Sequence, residues 1–167
     1  IVSENGIAME SAVEIAATAG IAGLVGKLGV GWLLDRVQGS AIPFFSFATG
    51  ALGHFLLIGM FAGWLPLMLG SMCIGFASGA GLQISAYLVS RYAGLRNYGA
   101  IYGGISSMMM AGMAVGPMVA GTVHDLTGSY DMLETIAAPV VLVAALLFVG
   151  LGPYPVFARA DDASPFE

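Results

Sequence analysis

Long apolar runs, separated by short polar or turn-forming breaks, dominate the chain. A helix needs roughly 20 largely apolar residues, at 1.5 Å per residue, to cross a bilayer. Five runs fit this length, and we call them segments A to E; they cover residues 11–34, 42–62, 67–89, 100–123 and 133–151. The pattern predicts an all-α fold, a polytopic membrane helix bundle with five transmembrane helices.

The composition supports a membrane setting. Hydrophobic residues make up 58% of the chain and charged residues 9%, and the mean hydropathy is +0.90. Soluble domains carry about 25% charged residues, because their surface faces water. Five Lys and Arg without a basic run do not make a nucleic-acid footprint, so nucleic acid is not an expected partner. We predict that the bilayer covers most of the surface.

The positions of the cations predict the orientation. Every Lys and Arg lies near the end of segment A, between C and D, or after E; they are Lys27, Arg36, Arg91, Arg96 and Arg159. With five crossings, these three places share one side, which the positive-inside rule assigns to the cytoplasm. We therefore expect a plasma (inner) membrane protein with residue 1 outside and a cytoplasmic C-terminus. Residues 1–152 form the predicted partial bundle, and residues 153–167 form a cytoplasmic tail.

The end of segment A carries a recognisable motif. Lys27, Gly31 and Asp35 are spaced i, i+4, i+8, so they share one helix stripe, and Arg36 follows. This stretch resembles the G-x-x-x-D-R cytoplasmic loop signature of the major facilitator superfamily, in the copy between helices 8 and 9. The resemblance implies a gating role, and we expect Lys27 to reach the cytoplasmic interface or to pair with Asp35.

Segment D carries a second resemblance to the same family. Its opening, residues 96–103, is similar to the loop between helices 10 and 11, especially in carboxylate-transporting branches. Its later part is similar to helix 11, where small residues and a proline serve helix packing; these are Gly112, Gly116, Pro117 and Gly121. Segments A to E then correspond to helices 8–12, and the N-terminal half of the same chain is an expected missing partner.

This resemblance implies secondary active transport of a small solute by alternating access, within a twelve-helix transporter. A monocarboxylate or another organic anion is the implied substrate. Efflux of lipophilic, drug-like compounds by the same fold is one alternative, and a small non-transporting five-helix membrane subunit is another. No enzyme motif, metal site or cofactor is predicted. Coupling to H⁺ or another ion gradient stays open.

Polar side chains inside the apolar segments are the site candidates, because placing them in a membrane is costly. Glu14 and Thr18 lie on one face of segment A. Glu14 is either a gate or ion-coupling carboxylate or a solvated group at the cavity mouth. Gln83 either hydrogen-bonds a solute or bonds to a neighbouring helix, and Ser106 is a weaker candidate of the same kind.

Segments B and E are expected to brace the others from the lipid side, because they carry few polar side chains. His54 lies in the middle of segment B. Since B resembles a peripheral support helix, we expect His54 to pack against a neighbour rather than to relay protons.

Overall fold

The computed structural model describes residues 9–37, 39–58, 63–94 and 96–151. Within these ranges the regular structure consists of helices, one for each predicted segment. They are α1 (Met9–Leu34), α2 (Ala41–Leu57), α3 (Trp64–Tyr92), α4 (Tyr98–Thr127) and α5 (Asp131–Val149). The all-α fold class is confirmed. The predicted tail at 153–167, with Arg159, lies outside the described residues.

The helix α2 is shorter than the other four described helices. The helices α1, α3, α4 and α5 are each long and apolar enough to span a membrane. The apolar helix α2 has 17 residues, about 26 Å at 1.5 Å per residue, against a hydrocarbon core of about 30 Å. Segment B was predicted to reach residue 62, but the helix ends at Leu57 and Ile58 has extended backbone. Apolar residues continue past Leu57, so hydropathy could not locate this end.

The central helix of the bundle is α3. Both α1 and α2 pack along it, and α5 packs against α2. The order of contacts gives the directions: α1 runs parallel to α3, whereas α2 runs antiparallel to α3 and to α5. These directions place the described cations on α1, α3 and the start of α4 toward one end of the bundle, as the sequence predicts.

Small residues bring α1 and α3 together along a glycine seam, formed by Gly23 and Gly26 of α1 and by Gly75 and Gly79 of α3. A Cβ at Gly79 would collide with the carbonyl oxygen of Gly23, and a Cβ at Gly26 would collide with that of Phe76. The G-x-x-x-G spacing of Gly75 and Gly79 is typical of membrane helices whose backbones touch. Glycine is therefore required here by close approach, not by backbone conformation.

The buried core lies beside the ends of α1 and α3. It is formed by Val30, Leu34, Ile42, Ala80 and Ile84, with Phe47, Phe76, Tyr87, Leu88 and Phe148 packed around it. This cluster joins α1, α2 and α3 and fixes the helix ends that carry the polar residues described below.

The least packed helix is α4, which has no buried residue. Met108, Met113 and Met118 are exposed by 78%, 70% and 75%. The helix ends at Thr127 and is followed by Gly128, whose φ of +72° is the left-handed conformation that glycine adopts freely. Most of the α4 surface therefore faces lipid, or protein that is not among the described residues.

Candidate functional site

A cavity of about 380 Å³, lined by both apolar and polar residues, lies between α1, α3 and α4, at the end of the bundle that carries the cations. Its lining residues are Gly31, Leu34, Asp35, Gln83, Ala86, Tyr87, Ser90 and Tyr98. Two residues of the predicted gating motif and one predicted solute-contacting residue therefore line the same space. We call it the α1–α3–α4 cavity.

The cavity offers both acceptors and donors. The Asp35 carboxylate is an acceptor, and the Gln83 amide both donates and accepts. The Ser90 hydroxyl donates to the carbonyl oxygen of Tyr87, 2.7 Å away, so its oxygen retains acceptor capacity. No Lys or Arg is among the lining residues that the structure describes. A bound solute would thus be recognised by neutral dipoles beside a single acidic group.

Of the two arrangements expected for Lys27, the structure shows an exposed side chain and not the pair with Asp35, while the gating role stays a prediction. Lys27 and Asp35 are both exposed, and they form no ion pair with each other. The Arg36 guanidinium instead lies 3.8 Å from the centre of the Trp32 ring, a cation–π contact. A Cβ at Gly31 would lie 4.0 Å from Cγ of Gln83, which is ordinary contact. A methyl group would therefore fit at Gly31, and neither the Gln83 side chain nor a close approach of helices requires glycine at this position.

Glu14 and Thr18 lie at another level of the bundle. Ala19 of α1 is level with Gly75 of α3, eight residues before Gln83, which corresponds to about 12 Å along the helix. Glu14 is exposed, and the Thr18 hydroxyl donates to the carbonyl oxygen of Ile15 at 2.9 Å. The structure does not bring these two residues to the α1–α3–α4 cavity, and their role in a solute pathway stays a prediction.

The candidate residues on α4 make few contacts with the other described residues. Ser106 is half-buried and does not line the cavity. A Cβ built at Gly112, Gly116 or Gly121 would have nothing within 4 Å, and Pro117 lies within the exposed helix. Any packing at these positions requires a partner beyond the described residues. Among the described residues, close backbone contacts occur instead at the glycine seam and between Gly53 and Gly70. The G-x-x-x-G spacing of Gly75 and Gly79 was an available signal for the seam.

Sequence reasoning missed a polar contact between α2 and α5. Nδ1 of His54 lies 2.7 Å from Oε2 of Glu134, and the Glu134 side chain is 8% exposed. His54 sits three residues before the end of α2, not in its middle, and Glu134 sits three residues after the start of α5. The expectation that His54 packs against a neighbour holds, but the two bracing helices are joined by a buried polar pair. The available signal was a histidine about one turn before the end of α2 and an acid about one turn after the start of α5, two helix ends that face each other.

The helices, their packing and the cavity define a polytopic membrane helix bundle with a polar site near one end. Residues 2–165 match the Major Facilitator Superfamily, and the chain belongs to this family. It is 30% identical over 136 residues to monocarboxylate transporter 10 of the zebrafish, Danio rerio. That match covers 77% of this chain and 26% of the relative, so the chain spans about a quarter of the relative's length. No solved structure matches the chain.

Membership in this family confirms two predictions from the sequence. The resemblance seen in the end of segment A and in segment D was to the correct family. The family is one of transporters, which also confirms the prediction that the chain is not an enzyme.

Proposed function

We propose that the chain forms part of an alternating-access transporter and that the α1–α3–α4 cavity belongs to its solute pathway. The supporting observation is the cavity itself. Asp35, Gln83 and Ser90 converge in it from two helices that the glycine seam holds together, in a chain of a transporter family. In such transporters, solute sites form between helices that rock against each other.

The proposed solute is a monocarboxylate, carried with a proton. The name of the zebrafish relative supports this substrate class, and the Gln83 amide and the Tyr98 hydroxyl are donors that suit a carboxylate. An anion beside the Asp35 carboxylate meets a like charge, which a proton carried together with the solute would offset. This charge balance supports proton coupling as part of the proposal.

The test uses the full-length protein that contains this chain, reconstituted in liposomes and supplied with radiolabelled lactate or pyruvate. We expect uptake that rises with an inward proton gradient. Gln83→Leu should lower the apparent affinity about tenfold or more, because a hydrogen bond to a charged group contributes about 1.5–3 kcal/mol. Thr49→Val is the matched control, since the Thr49 hydroxyl bonds to Phe45 of its own helix at 2.8 Å.

The outcome also separates the alternatives. Uptake that does not respond to Gln83→Leu contradicts the role of the cavity. Transport of lipophilic cations without monocarboxylate transport supports drug-like substrates instead, a possibility that the exposed Met108, Met113 and Met118 of α4 favour. Absence of any flux contradicts the proposed function as a whole.

A further inference from the structure

The α1–α3–α4 cavity has one wall that is firmly packed and one that is not. Among the described residues, every lining residue but one lies on α1 or α3, which the glycine seam and the buried core hold together. Leu34, which belongs to this wall, is 2% exposed. The remaining lining residue is Tyr98 of α4, a helix without a buried residue. The α4 wall therefore consists of a single side chain on the least packed of the described helices.

Tyr98 is the first residue of α4, and its ring is paired with a ring on the next turn of the same helix. The ring centroids of Tyr98 and Tyr102 are 5.4 Å apart, with 14° between the ring planes. Residues four apart lie on the same face of a helix, and stacked aromatic rings attract each other. Tyr102 does not line the cavity, and both residues are half-buried. The stack thus links a residue outside the cavity to the orientation of the ring that lines it.

We propose that Tyr98 limits the size of the solute that the α1–α3–α4 cavity accepts, and that Tyr102 is a positioning residue that holds the Tyr98 ring in place. This inference rests on the proposed function and narrows its solute class to compact monocarboxylates such as lactate. The α1–α3 wall is fixed by close backbone contacts at the glycine seam, so the position of the Tyr98 ring sets the width of the cavity. The cavity volume of about 380 Å³ is near the lower end of the roughly 300–1,000 Å³ that small-molecule sites span. In a site of this size, one aromatic side chain changes which solutes fit.

Solute selectivity tests the size limit in the reconstituted full-length protein that contains this chain. Lactate and mandelate share the hydroxyl group and the carboxylate, and mandelate carries a phenyl ring where lactate has a methyl group. Tyr98→Ala should raise the mandelate-to-lactate ratio of kcat/KM about tenfold, because added space in a pocket favours the larger apolar group. Tyr98→Phe keeps the ring and should leave the ratio unchanged, since loss of the hydroxyl affects both carboxylates alike. An unchanged or lower ratio in Tyr98→Ala overturns the proposal.

The same ratio tests the role of Tyr102. Tyr102→Leu removes the stack and should raise the ratio about fivefold, whereas Tyr102→Phe keeps the stack and should retain the parent value. The matched control is Tyr130→Leu, which removes a ring contact with His124, 4.7 Å between centroids, at the other end of α4. A general loss of folded protein lowers both uptake rates and leaves their ratio unchanged. Equal ratios in Tyr102→Leu and Tyr130→Leu would show that Tyr102 does not position Tyr98.

A second measurement does not require transport. Ser90, which lines the cavity, is replaced by cysteine in a Cys73→Ser background, and the protein in nanodiscs is alkylated with N-ethylmaleimide or with the bulkier fluorescein maleimide. Tyr98→Ala should raise the relative rate of the bulkier reagent severalfold at Ser90→Cys, but not at Val37→Cys, an exposed position outside the cavity. An unchanged relative rate at Ser90→Cys overturns the size limit. A raised rate together with absent monocarboxylate uptake would instead contradict the proposed function alone.

Discussion

The contact between His54 and Glu134 joins two helices that otherwise meet through apolar side chains. Nδ1 and Oε2 are 2.7 Å apart, and Glu134 is 6% exposed as a residue. A buried carboxylate without a partner is costly, whereas a hydrogen-bonded one is tolerated. His54 therefore offsets the free-energy cost of burying the Glu134 carboxylate. Replacing one of the two residues should destabilise the chain more than replacing both.

Replacing His54 alone should destabilise the chain by about 1–3 kcal/mol, because it leaves the Glu134 carboxylate buried without a partner. The double variant His54→Phe/Glu134→Leu should recover most of that loss, since no polar group then remains buried. SDS titration of the helical signal in mixed micelles measures the free energy of unfolding.

His124→Phe is the control for that comparison. His124 lies 3.9 Å from the exposed Asp125 and against the Tyr130 ring, with 4.7 Å between ring centroids. Phenylalanine can keep the ring contact, so we expect a change within about 0.5 kcal/mol. A single His54→Phe variant as stable as the parent chain would show that the pair contributes nothing to α2–α5 packing.

The residues of the α1–α3–α4 cavity were only partly predictable from the sequence. Gln83, Gly31 and Asp35 were singled out separately, as a costly polar residue and as a motif, and the structure brings all three together. Their meeting depends on the parallel alignment of α1 with α3, which periodicity within one helix cannot supply. Glu134 was missed for the same reason, because its partner lies 80 residues away.

Among the elements, the α1–α3 pair is the one whose geometry is most constrained. In a membrane, lipid is as apolar as the side chains, so helices associate through van der Waals contact of close backbones. The glycine seam provides that contact through Gly23, Gly26, Gly75 and Gly79. The five helices themselves were predictable from hydropathy. The G-x-x-x-G spacing of Gly75 and Gly79 was a signal for one side of the seam, but its partner glycines on α1 were not predictable.

Gly79→Ala should separate α1 from α3, because the added Cβ would collide with the carbonyl oxygen of Gly23. We expect a loss of about 1–3 kcal/mol in the free energy of unfolding, measured by SDS titration. Gly116→Ala is the matched control: nothing lies within 4 Å of its Cβ, and alanine favours helix by about 1 kcal/mol. Equal effects of the two substitutions would contradict the seam.

For the whole molecule, the helix directions and the cations together predict which end faces the cytoplasm. Arg36, Arg91 and Arg96 lie at the end of the bundle that carries the α1–α3–α4 cavity. The opposite end carries the turn between α4 and α5, with Asp125 and Asp131. The positive-inside rule therefore predicts that the cavity faces the cytoplasm.

Single cysteines test this orientation in intact cells, in a Cys73→Ser background. A membrane-impermeant maleimide should label Ser129→Cys from outside, and it should label Val37→Cys only after the membrane is permeabilised. Both positions follow the end of a helix, but Val37 is exposed and Ser129 is half-buried, so each variant is compared with itself before and after permeabilisation. The reverse labelling pattern would mean that the cation-rich end faces outward.

The short α2 has a consequence for the surrounding lipid. The described helix of 17 residues is roughly 4 Å shorter than an average hydrocarbon core is thick. Hydrophobic mismatch of this kind is relieved by local thinning of the leaflet, at a fraction of a kcal/mol per Å. The bilayer should therefore be locally thinner beside α2, and the protein should partition toward thinner, sterol-poor membranes.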